Sequence, residues 1–184
     1  MTHPSPNPGG EHNWMVRTAV RDWIDAQNIP GLSRIFRTLN ASRDWDEADT
    51  DDLGCMALAW IHIPREIESR AALVGPDNPG GKDITYDVEL HITHLSADPS
   101  VTGEEDAQRS YSRLVDRLKD TLRGSGRDLG RPDTILQAGD WPRDGGIEAR
   151  HAEPEHDEES GYTYRSGQIS FVVSQYLPTY VPSP

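Results

Sequence analysis

The sequence predicts an α+β fold: a mainly antiparallel sheet of five or six strands with two helices packed on one face. Three observations predict it. Ile84, Tyr86, Val88, Leu90 and Ile92 alternate with Thr85, Asp87, Glu89 and His91, the period of a strand with one buried and one wet face. Tyr111, Leu114, Val115, Leu118 and Leu122 recur at helical spacing and make one apolar stripe. Leu53–Ile63 is almost wholly apolar, the composition of a buried central strand.

Taken in order, residues 1–12 read as a flexible arm rich in proline and glycine, with no apolar h-region of a signal peptide. A single domain follows over 13–177. Its first helix spans 13–27, with Val16, Ala19, Val20 and Trp23 on one face and Asn13 as N-cap. Asn28-Ile29-Pro30-Gly31 ends it, because Pro30 cannot continue a helix and Gly31 accepts unusual dihedrals. Ser33–Leu39 is a short strand. Pro64 bends or ends the apolar strand, and Arg65–Gly75 reads as the returning strand of a hairpin. The stretch 75–82 is dense in turn formers. The second helix spans 104–123, with Glu104, Glu105 and Asp106 in its first turn and Arg123-Gly124 closing it. Residues 125–146 are mostly loop with an apolar patch at Ile135-Leu136. Ile147–Ala152 and Tyr162–Leu177 are the last strands and flank an acidic loop. Residues 178–184 form an extended proline-rich tail.

The charge is partitioned. The 184-residue chain has a formal net charge of −13 and one cysteine. Residues 44–52 hold Asp44, Asp46, Glu47, Asp49, Asp51 and Asp52 with no base. Residues 153–160 hold Glu153, Glu155, Asp157, Glu158 and Glu159, again with no base. Without those loops and the two tails the body is close to neutral. The acidic balance argues against wrapping nucleic acid through its phosphates. No stretch approaches the run of about 18 apolar residues that a membrane span needs. A lone Cys55 forms neither an internal disulfide nor a thiolate cluster.

The chemistry-bearing motifs fail on inspection. The loop 75–82 lacks the first glycine of a phosphate-binding loop, has Asp83 in place of Ser or Thr, and precedes a strand instead of a helix. The run at 44–52 has Ala48 and Asp49 where a calcium loop needs an oxygen ligand and a glycine. It therefore reads as a solvated acidic loop. His91 and His94, three apart in a strand, point to opposite faces and form no metal pair. Cys55 reads as a packed core thiol. No catalytic residue, metal site or cofactor is expected. Trp45, alone among acids, is either an anchor of its loop or a contact made on assembly. Arg109, Arg113 and Arg117 lie opposite the leucine stripe. They are either a solvated face with intrahelical ion pairs or an oligomer interface meeting an acidic loop of a neighbouring copy.

The order of elements resembles a known family. VRDWIDAQNIPGLSRIFRTL, ITYDVELHITHLS, DAQRSYSRLVDRLKDTLRG and DTILQAGDW are similar, in that order, to segments of tail terminator proteins from long-tailed actinobacterial phages. The resemblance covers roughly residues 14–176 and does not extend to the two acidic loops. It implies a small α/β sandwich and a non-enzymatic virion protein, made in the host cytoplasm and located at the head–tail junction. Its implied partners are further copies of itself in a homohexameric ring, the major tail tube protein and a head-connector or neck protein. DNA would pass through without specific binding, and one acidic loop is expected to face that channel with the other at the rim or outside. The alternatives are a neck protein closing the head or, of another class, a small hydrolase or metal-binding protein.

Overall fold

The structure is a computed structural model that describes residues 10–38, 50–72, 81–96, 101–124, 129, 136–138, 146–158 and 162–178. Helix α1 (Gly10–Asp25) leads into strand β1 (Leu32–Phe36), followed by β2 (Cys55–Ala72) and β3 (Gly81–Ser96). Helix α2 (Val101–Gly124) comes next, then β4 (Leu136–Ala138), β5 (Glu148–His151), β6 (Glu155–His156) and β7 (Thr163–Pro178). The seven strands make one sheet in the order β1-β2-β3-β7-β4, with β5 and β6 also pairing along β7. Among the described residues only β1 and β2 pair in parallel; every other pairing there is antiparallel.

Both helices lie on one face. Val16, Ala19, Val20 and Ile24 of α1 and Leu114, Val115, Leu118 and Leu122 of α2 join one buried cluster. Ala57, Ala59 and Ile61 of β2, Tyr86 to Ile92 of β3 and Ile169 to Val173 of β7 supply its sheet side. Alternate positions therefore point to the helices, as the period-two pattern requires. The opposite face is mixed: Trp60 stacks on His91 with centroids 5.3 Å apart, and the His91 ring bonds Glu89 at 3.1 Å. His91 and His94 do lie on opposite faces.

Several boundaries move. Helix α1 starts at Gly10, so residues 10–12 of the expected arm are helical and Asn13 is not its N-cap. Instead Asn13 Oδ1 accepts a bond from Arg17 Nε at 2.8 Å, one turn on. The turn after α1 is as expected, with Asn28 at φ 46° and Gly31 at φ 82°. Pro64 neither ends nor turns its strand: β2 is a single strand of 18 residues. Residues 65–72 continue it and are no returning strand. The β2–β3 register slips between His62 and Arg65, and β1 stops at Phe36 opposite Trp60. The proline thus sits at an irregularity, past the last β1 pairing among the described residues, where a missing N–H is tolerated. Gly81 and Lys82, expected in the loop, begin β3. Residues 153–160 are not loop throughout, since Glu155–His156 form β6.

Candidate assembly surfaces and a buried polar network

Helix α2 presents its arginines to solvent because its leucine stripe is spent on the sheet. Arg109 lies 3.4 Å from Asp106 on the same helix. Arg113 lies 3.4 Å from Asp52, so it meets the first acidic loop of its own chain. Arg117 is exposed and borders a groove between the C-terminal ends of the two helices, next to Trp23, Ile29 and Asp120. Two of the three arginines therefore have an acid within the chain.

The two acidic segments share an end of the sheet. Asp51 and Asp52 lead into Cys55, which pairs with Ser96, which pairs with Thr163, which pairs with His156. That row crosses three strand spacings, about 14 Å. Glu153, Glu155 and Glu158 are exposed there, with Asp157 half-buried. Asp157 N–H donates to Tyr162 O at 2.9 Å, closing the turn back into β7. Asp44, Asp46, Glu47, Asp49 and Glu159, with Trp45, lie outside the described residues.

Asp51 does something the composition of its loop conceals. Its Oδ1 accepts from the Leu53 and Cys55 amides, both at 2.9 Å. Its Oδ2 accepts from the Ser110 hydroxyl at 2.5 Å. Ser110 also lies 2.9 Å from His94 Nε2. A hydroxyl has one proton, and Ser110 gives it to Asp51, so His94 Nε2 must carry the proton of the second bond. His94 is 1% exposed. Burial, helped by Arg165 and opposed by Asp51, lowers its pKa to about 4, so the ring is neutral. The chain Asp51–Ser110–His94 ties the first acidic loop, α2 and β3 together.

Arg165, on β7 and paired in register with His94 of β3, is 2% exposed. Its Nε donates to Gln108 Oε1 at 3.1 Å and its Nη2 to Glu104 O at 3.3 Å. Tyr111 completes the cluster: its hydroxyl donates to Ser166 O at 3.2 Å and contacts His151 Nδ1 at 3.0 Å. That approach needs Gly167, since a Cβ there would stand 2.0 Å from the Tyr111 hydroxyl. Burial raises the Tyr111 pKa and, with the nearby Asp51 charge, that of Cys55. Cys55 is 1% exposed, a core thiol as its strand implied. Sequence reasoning passed over this network. The one available signal was polar residues at inward positions, His94 in the alternating strand and Ser110 on the leucine side of α2.

Among the described residues no three of His, Cys, Asp and Glu are grouped so as to hold a metal ion. No helix there is long and apolar enough to cross a membrane.

No family model matches the chain. It is 30% identical over 114 residues to the bifunctional glutamine synthetase adenylyltransferase/adenylyl-removing enzymes of Neisseria meningitidis serogroups A and B. That stretch is 61% of this chain and 11% of each enzyme, so the chain spans about a tenth of the length of the curated relatives it matches. Among solved structures, a chain of the virion of a native gene transfer agent particle aligns with 86% of this chain and 94% of its own. The alignment has 7% identity and a TM-score of 0.29, a likeness too slight to define a shared fold.

Proposed function

We propose that the chain is a structural, non-enzymatic virion protein. It forms a homohexameric ring at the head-proximal end of a phage tail tube. The ring ends tube polymerisation and joins the tail to the head connector, and DNA passes through it. The resemblance to tail terminators motivates the reading. The two-helix, one-sheet sandwich is the architecture that resemblance implies.

One observation carries it further. Strand β2 outruns its own core. Beyond Ile63 it keeps strand geometry to Ala72, yet residues 64–69 are exposed on both faces and β1 has already stopped. Ile67 is 41% exposed. Cross-strand pairs of Arg65 with Asp87 at 3.8 Å and Lys82 with Glu68 at 2.7 Å hold this arm to β3. Exposed pairs of that kind contribute little, and a strand uncovered on both faces gains little from burial. The surface of a second molecule supplies what the monomer lacks. The proline and charges along the arm keep its open edge from indiscriminate pairing.

Negative-stain imaging of the purified protein, alone and mixed with tail tubes, tests this. Six-fold rings, or caps at one tube end, are the expected result. Monomers in solution together with bare tube ends would overturn it.

A further inference from the structure

We infer that the ring contact joins opposite edges of the sheet. The basic β1–α1 edge of one copy meets the acidic β5–β6 edge of the next. This rests on the ring reading above and names the surfaces that make it.

In a chain of net charge −13, residues 10–38 carry four arginines, Arg17, Arg21, Arg34 and Arg37, against Glu11, Asp22 and Asp25. Arg34 projects from the edge strand and is exposed. Arg37 lies 4.5 Å over the ring of Trp14, and Trp14 is 46% exposed. Tryptophan and arginine are both enriched at the energetic centres of interfaces, and here the two are stacked on an exposed surface. Arg17, beneath them, donates to Arg37 O at 2.8 Å and to Ile61 O at 2.5 Å. The end of β1 is therefore held firmly.

The opposite edge has the opposite sign. Residues 146–158 carry Glu148, Glu153, Glu155, Asp157 and Glu158 against Arg150, which is itself paired with Glu148 at 3.0 Å. Among the described residues both edges pair on one side only. They stand four strand spacings apart, about 19 Å, so these two edges do not meet within one molecule. Complementary surfaces on opposite sides of a subunit make a head-to-tail contact, and such a contact closes into a ring when its rotation divides a full turn. The partner is a second copy of this chain.

Charge exchange tests it. Arg34→Glu with Arg37→Glu reverses one edge, and Glu153→Arg with Glu155→Arg reverses the other. Sedimentation velocity and imaging on tail tubes are run on wild type, each edge variant and the combined variant. Each edge variant should assemble at least about tenfold more weakly, and the combined variant should recover. Recovery also excludes misfolding, since a second reversal does not refold a damaged edge.

Wild-type rings with undiminished edge variants would overturn the contact and leave the ring reading intact. Failure of the combined variant to recover would overturn it too. So would a basic-edge variant with a lowered melting temperature and normal assembly, which would assign that edge to the chain's own 44–49 stretch. A basic-edge variant that forms rings yet no longer caps tubes would assign it to the tube protein instead. Wild type without rings in solution or on tubes would remove both the reading and the contact.

Discussion

Asp51 shows how a residue's composition class can mislead about its job. It belongs to a run of acids, yet its two oxygens are spent on two amides and a serine hydroxyl inside the fold. Ser110→Ala removes the group that serves both Asp51 and His94 and leaves two polar atoms unpaired. Thermal or urea unfolding should show a loss of about 1–3 kcal/mol. His94 sets a pH dependence. The unfolded chain holds this ring near its ordinary value of about 6.5, whereas the fold holds it at about 4. The unfolded state therefore takes up the proton first, so stability falls as pH drops from about 6.5 towards 4 and levels off below. The full effect is about 3 kcal/mol. Urea unfolding across that range should show the slope in wild type and lose it in His94→Gln. Gly167→Ala forces the Tyr111 hydroxyl away from Ser166 and His151 and should cost about 1–3 kcal/mol in the same measurement.

At the scale of the element, α2 separates two uses of charge. Arg113 and Asp52 are both largely exposed, 46% and 76% at the side chain. Arg113→Glu should therefore move the melting temperature by no more than about 1 kcal/mol implies. The β2 arm behaves differently, because its value lies outside the monomer. Ile67→Asp should leave the monomer's unfolding curve unchanged and abolish tube capping, read by negative stain. These two elements also mark what could be read in advance. The leucine stripe of α2 and the alternation of β3 were legible because burial on one face imposes a period on the sequence. The continuation of β2 through Pro64 was not. A proline reads as a break unless one knows that β1 ends at Phe36, opposite Trp60, and that the β2–β3 register slips beside it, and both facts depend on neighbouring strands. The same holds for the polar network. Asp51, His94, Ser110 and Arg165 come from four separate stretches, and only the pairing of β3 with β7 and the docking of α2 bring them together.

At the scale of the molecule, the fold is asymmetric in two directions. Across the sheet, a basic edge with Trp14 opposes an acidic edge. Along it, the helices cover the middle and one end, while β2 projects at the other. The second asymmetry predicts that lysine substitutions at the exposed Glu66 and Ile67 of the β2 arm lower the number of capped tubes without changing the melting temperature. The first predicts that assembly weakens as salt is raised, since exposed charge pairs are screened beyond about 10 Å at 0.1 M ionic strength.

The shared position of the two acidic segments has a consequence for any closed ring. Rotation about the axis copies each segment into a circle, and all subunits point the same way. Segments that share one end of the sheet therefore share one end of the ring. The acids of that end left outside the subunit contact, Glu158 among them, would make the ring electrically polar along its axis. An assembly of that kind can be told top from bottom by charge alone.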